Sequence, residues 1–189
     1  MMTSAEARFK IQSILGETID GAFGPRTRAA FDALASADSD SSWPPTLVPV
    51  STDEPEWLKI ARKELGTAEI PGDKDNPRIV EYHTACTLHA TDDETPWCSA
   101  FVNWCLREAG KVGTRNALAR SFLKWGTEMD RPRVGCIVVF SRGAAPKGHV
   151  AFCVGADGDR IRVLGGNQGN KVSIVSSSTV AVLGYRWPS

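Results

Sequence analysis

The chain has 189 residues, 42% of them apolar and 23% charged, an ordinary globular composition with room for one full-sized domain and a small appendage. Basic and acidic residues both number 22, yet residues 1–37 are neutral, 38–96 carry a net −8 and 97–189 a net +8. This disfavours a globally basic nucleic-acid binder and leaves a basic C-terminal half suited to an anionic ligand. No run of 18 apolar residues is present, so no membrane-spanning helix is expected. The first residues, Met1 to Glu6, lack the basic-then-apolar layout of a secretory signal. Five cysteines with no C-x-x-C pair argue against a disulfide framework or zinc ribbon and for folding in a reducing compartment.

Apolar Phe9, Ile11, Ile14 and Leu15 predict a first helix that stops at Gly16. After Asp20-Gly21, the Gly24-Pro25 step opens a second helix bearing Ala29, Ala30, Phe31 and Leu34. Residues 38–55 are rich in Ser, Asp and Pro and read as a linker, so a small all-α unit is expected over 1–37. The larger domain is expected over 56–189. It opens with an amphipathic helix carrying Trp57, Ile60, Ala61 and Leu65, ended by Gly66. A polar segment follows from Pro71 to about Pro96. Thr95-Pro96-Trp97 then reads as the cap and first turn of a helix running to Gly110, and another helix is expected from Ala117 to Trp125. Segments 135–141, 149–155, 160–165, 171–176 and 180–186 are β-rich and separated by turn residues, which gives an antiparallel sheet and an α+β domain.

Cys98 sits where open N–H groups and the helix dipole favour a thiolate, although Asp92, Asp93 and Glu94 oppose this if they lie close in space. A thiol needs a base, and His149 begins a strand whose alternation sets His149, Ala151 and Cys153 on one face. The small residues on that face leave room for a helix terminus to approach the imidazole. A third group should orient the ring through its other nitrogen. In the 149–167 hairpin, a three-residue loop at 157–159 or a bulge brings Asn167 opposite His149, whereas a two-residue turn at Asp157-Gly158 turns it away. Asn167 is the choice, with Gln168 the alternative in the other register. Lone helical cysteines are more often small core residues, and Cys105, Cys136 and Cys153 are read so. His83, Cys86 and His89 are read as a structural loop rather than metal ligands, and Asp73-Lys74-Asp75-Asn76 lacks a full calcium loop. No metal and no cofactor are expected.

The run from Thr95 to Trp104, together with Gly135 to Phe140, Gly148-His149-Val150-Ala151-Phe152 and Gly165-Gly166-Asn167-Gln168, resembles the CHAP group of bacterial and phage cell-wall hydrolases. Glu69-Ile70-Pro71-Gly72 and Asn76-Pro77-Arg78-Ile79 are similar to one branch of that group, so the resemblance covers about residues 56–189. It implies a papain-like, CHAP/NlpC-type arrangement of helices on an antiparallel sheet. Cys98 would be nucleophile, His149 general base and acid, and Asn167 the orienting group. Glu69, Trp97, Ser121, Trp125 and Gln168 are candidates for substrate contact. In the N-terminal unit, Asp20, Gly21, Phe23, Gly24 and Thr27 lie in a run that looks like the helical peptidoglycan-binding module, with its first helix missing.

The expected function is cleavage of a stem-peptide amide bond of peptidoglycan, in the manner of a phage endolysin endopeptidase. The alternatives are a muramoyl-alanine amidase, an antibacterial effector delivered by a secretion system, and a catalytically silent wall-binding protein. The expected partner is peptidoglycan, with no nucleic acid and no membrane insertion. Synthesis in the cytoplasm, followed by release or delivery to the wall, is the expected route.

Overall fold

The structure, a computed structural model, describes residues 54–188. The two expected N-terminal helices, most of the linker, and Asp20, Gly21, Phe23, Gly24 and Thr27 lie outside the described residues. Helix α1, Glu56–Lys63, follows Pro55, which cannot extend a helix backwards, and buries Trp57, Leu58 and Ala61 at helical spacing. Its acid stands in the first turn and Arg62 and Lys63 in the last, each on the favourable end of the dipole. Helix α2, Pro77–His83, lies in the polar segment, to which no helix is assigned from the sequence. The Asn76 side chain accepts from the Arg78 N–H at 2.9 Å and Pro77 occupies the first helical position, a start signal legible in the sequence.

Helix α3, Cys98–Glu108, is buried from Cys98 to Leu106 and forms the centre of the helical layer. The helix expected from Ala117 to Trp125 is a 3₁₀ helix, Ala119–Lys124. The strands are β1 Thr127–Met129, β2 Ile137–Ser141, β3 Gly148–Asp157, β4 Arg160–Gly165, β5 Ser173–Ser178 and β6 Val182–Trp187. They form one antiparallel sheet of order β1-β6-β2-β3-β4-β5. Five of the six occupy the expected β-rich segments; β1, three residues long, was not expected. This is the α+β arrangement of helices on an antiparallel sheet that the sequence predicts.

Alternation along β2 and β3 divides the apolar side chains between two cores. Ile137, Val139, Val150, Phe152 and Leu164 join α1, α2 and α3 in the larger one. Cys136, Val138, Phe140, Ala151, Cys153, Ile161 and Val163 form a smaller one on the opposite face, flanked by Val175 and Tyr185. The helices therefore meet the Val150/Phe152 face of β3, and not the small-residue face expected to receive them. All five cysteines are free and buried, so Cys105, Cys136 and Cys153 serve as packing residues. No described helix is long and apolar enough to cross a membrane.

Candidate active site

Cys98 is the first residue of α3, with Trp97 at the cap position and no side chain capping the open N–H groups. Thr95, expected to cap this helix, is turned away: its N–H and hydroxyl donate to the Asp92 carboxylate at 2.6 and 3.1 Å. The backbone N–H groups of Val150, Ser99 and Cys98 all favour the thiolate. Burial pushes the Cys98 thiol up; the Val150 N–H and the positive charge of Arg142 act in the opposite direction. At rest it is a neutral thiol, and Val150, whose N–H acts on it, is the strand residue next to His149.

His149 is buried and pairs with Phe140 of β2 across the sheet. Its Nε2 lies 3.0 Å from Gln168 Oε1, whereas Nδ1 is buried without a hydrogen-bond partner among the described residues. The orientation of the Gln168 amide is set by its other end, because Nε2 of Gln168 donates to the Ser173 carbonyl at 2.5 Å. Oxygen therefore faces the imidazole, and oxygen can only accept. The proton of the neutral ring belongs on Nε2, and the Nδ1 lone pair is left open. Burial, reinforced by Arg142 and opposed by Gln168, pushes the His149 pKa down to about 4, so the ring is neutral at physiological pH.

The ring's partner is thus Gln168 and not Asn167, the residue expected in that role. The hairpin turns tightly, with Asp157 opposite Arg160, and then shifts by one residue between Cys153 and Gly155, so that Phe152 faces Leu164. Extended three residues further, that register sets Asn167 opposite His149. Strand β4 ends at Gly165, however, and Asn167 takes a left-handed φ of 54°, which breaks the strand's alternation before His149 is reached. Gln168 comes into place instead.

Other expected contact residues have structural partners. Trp97 is fully buried, stacked among Tyr82 and Phe101 with ring centroids 5.8 and 6.4 Å away, so it cannot line a groove. Its indole N–H donates to Glu69 at 2.8 Å, which gives Glu69 a structural role as well. The Ser121 hydroxyl is bonded to Thr114 at 3.0 Å and the Trp125 N–H to the Val112 carbonyl at 3.1 Å. Neither lines the two cavities that flank the site.

Those cavities bring in residues that the sequence did not single out. One, of about 350 Å³, borders Cys98 and is walled by Leu118, Pro146, Lys147 and Arg142. The other, of about 420 Å³, borders His149 and Gln168 and is walled by Phe140, Val175 and, again, Arg142. Arg142 follows the β2 strand in a stretch bounded by Gly143, a loop position with no periodicity to reveal it. Asp75, Asp93 and Glu94 bring carboxylate oxygens within 4.8 Å of one another. Asp93 Oδ2 already accepts from the Ile70 and Asn76 N–H groups, and Asp75 accepts from the Asp93 N–H, so Asp75 and Asp93 brace the loops ahead of α3.

Residues 90–167 match the family model of the CHAP domain. The domain is of the CHAP type. That stretch carries Cys98 and His149 and ends at Asn167, one residue before Gln168. Among solved structures, a Staphylococcus aureus protein described as similar to a lipoprotein of the NLP/P60 family aligns at 17% identity and a TM-score of 0.42. The alignment covers 97% of this chain and 61% of that one, so this chain spans about three-fifths of that protein's length. No curated protein matches the sequence. In the CHAP-type domain the helix start supplies the thiol, β3 the imidazole, and the turn after β4 the amide that holds it.

Proposed function

We propose that the protein is a cysteine hydrolase of peptidoglycan, cleaving an amide bond of the stem peptide. The observations that carry this reading are a buried thiol at an uncapped helix start and, on the strand residue next to Val150, whose N–H acts on that thiol, a neutral imidazole whose Nδ1 is open and whose Nε2 is held by Gln168. No hydrogen bond joins thiol and imidazole among the described residues, and the two are proposed to close on one another when substrate binds. His149 Nδ1 takes the thiol proton as Cys98 attacks the amide carbonyl carbon, giving a tetrahedral oxyanion. The open N–H groups of the first turn of α3, that of Cys98 included, stabilise the negative oxygen. Collapse breaks the C–N bond while imidazolium returns its proton to the leaving amine. Water then hydrolyses the thioester with His149 as base.

The chain's CHAP-type domain favours peptidoglycan over a general protein substrate. Endopeptidase action in the manner of a phage endolysin is the specific reading, and residues 1–37 are its proposed wall-binding unit. The test is incubation of the protein with purified sacculi and mass analysis of the released muropeptides. A new amine and carboxylate within the stem peptide, absent with Cys98→Ala, is expected. Free muramic acid lactyl carboxylates would identify an amidase instead. Equal clearing by Cys98→Ala would overturn the cysteine mechanism, and no released fragment with a folded wild-type protein would overturn the hydrolase reading. Lysis of an expressing bacterium only when a membrane pore is co-expressed would support the endolysin setting.

A further inference from the structure

Arg142 is the one charged side chain common to both cavities at the site, standing between the space beside Cys98 and the space beside His149. It is exposed, and among the described residues it makes no ion pair and no hydrogen bond through its side chain. Exposed arginines are commonly just solvated, so position must decide. Three features set this one apart. The loop that carries it is braced on both sides: Arg120 donates from Nε to the Lys147 carbonyl at 2.8 Å and from Nη2 to the Gly143 carbonyl at 3.2 Å and Ser141 Oγ at 3.3 Å. Arg120's own guanidinium is consumed in this bracing, whereas that of Arg142 is left over. Lys147 adds a second positive charge to the Cys98 side, and no Asp or Glu lines either cavity.

A guanidinium beside apolar walls such as Leu118 and Pro146 is a ready partner for a carboxylate, which it grips through two parallel N–H···O bonds. We propose that Arg142 selects substrates by pairing with a free carboxylate next to the scissile amide, so that acidic stem peptides are preferred over the same peptides with that carboxylate amidated. This deepens the reading of the chain as a peptidoglycan hydrolase and rests on it. Arg142 is therefore a specificity determinant and not a member of the reacting pair. Its field is felt at both reacting groups, where it opposes protonation of His149 and favours the Cys98 thiolate.

The experiment uses two synthetic stem peptides that differ only in a free carboxylate or a carboxamide beside the amide to be cut. Turnover is measured with the full-length protein, Arg142→Gln and Arg142→Lys, and equilibrium binding is measured in the Cys98→Ala background with and without Arg142→Gln. The wild type should favour the acid over the amide about tenfold or more in kcat/KM, mainly through KM. Arg142→Gln should bring that ratio close to one, and Arg142→Lys should restore part of it. A wild-type ratio near one, or a ratio unmoved by Arg142→Gln, overturns the proposal, as does failure of the acid peptide to bind Cys98→Ala more tightly than the amide. If the wild type cuts neither peptide while the Cys98→Ala protein still binds the acid form through Arg142, the hydrolase reading falls and the carboxylate site stands.

Discussion

Gln168 grips His149 with its oxygen because its nitrogen is already committed to the Ser173 carbonyl. A carboxylate in this place would accept from the ring in the same way but would also stabilise imidazolium. A neutral amide orients the ring without charging it. Together with burial and the field of Arg142, this keeps His149 a free base at rest. On the proposed mechanism the proton therefore moves as the thiol attacks, and the reaction does not start from a preformed thiolate–imidazolium pair.

Gln168→Ala should lower kcat on sacculi by on the order of tenfold to a hundredfold, because the ring loses its tautomer and its orientation. Gln168→Glu should retain more activity but move the acid limb of the rate profile to higher pH. Asn167→Gly is the control. It keeps the left-handed backbone at that position while removing the amide, and activity should stay within about twofold. A large loss in Asn167→Gly with Gln168→Ala unaffected would return the orienting role to Asn167.

The ring itself is open to a direct measurement. In ¹⁵N-detected imidazole spectra, His149 should appear as the Nε2–H tautomer at neutral pH and titrate at about 4. Arg142→Gln removes a positive neighbour that holds the value down, so the midpoint should rise. A His149 signal titrating near the unperturbed value of about 6.5 in the wild type would contradict this account.

Stability follows from the same depression. The unfolded ring takes up a proton below about pH 6.5, while the folded ring resists until about 4. Between those limits the unfolded state binds more protons, so the His149 contribution is present above the unfolded value and is lost as pH falls through the folded one. The stability difference between wild type and His149→Gln should accordingly move against the wild type from pH 7 to pH 4.5, as read by denaturant midpoints. A difference constant over that range would mean that His149 is not neutral when folded.

The helix start at Cys98, the strand of His149 and the β-rich segments were legible because they depend on local signals: alternation, turn residues, and apolar spacing ahead of a glycine. The partner of the imidazole was not, because it depends on one bulge in the β3–β4 hairpin and one left-handed residue, each of which shifts facing by one position. Trp97 misled for a related reason. The sequence offers it as a candidate for substrate contact, but burial among Tyr82, Phe101 and Gly166 is a property of the folded chain. Helix α2, by contrast, has a local start signal in Asn76-Pro77, which the polarity of its surroundings masks. Arg142 carries no local pattern, and only the cavities on either side of it reveal its place.

Gly166 tests whether Trp97 is a wedge for the site. A Cβ at this position would lie 2.4 Å from the Trp97 ring and 2.7 Å from Phe101 Cβ, too close for any rotamer change to relieve both. Gly166→Ala should therefore cost about 1–3 kcal/mol, measured by denaturant unfolding. It should also reduce kcat by displacing Gln168, two residues on. Trp97→Phe gives up the Glu69 bond but keeps most of the apolar contact, so its kinetic effect should be smaller than that of Gly166→Ala.

A second buried network holds α1 to α2 and provides a pH signature separable from that of the site. Glu64, only 9% exposed, accepts from Arg78 Nε at 2.8 Å, Arg78 Nη2 at 2.7 Å and the Tyr82 hydroxyl at 2.7 Å. The Arg78 bonds, first among the causes, hold the Glu64 carboxyl below its usual range, with the Tyr82 bond assisting and burial opposing. Its folded pKa is depressed, so the stability it contributes is present above the unfolded value of about 4.3 and is lost as pH falls through the folded one. Arg78→Met removes the pairing and leaves the carboxylate with Tyr82 alone. Because the guanidinium is partly exposed, the cost at pH 7 should be about 1–2 kcal/mol, less than for a fully buried pair. That deficit should shrink as the pH is lowered below about 4.3, because protonating Glu64 relieves the variant of its unpaired charge. A deficit that stays constant with pH would mean that the loss comes from the stacking of Arg78 over Trp104, at 4.5 Å from its ring centroid, and not from the ion pair.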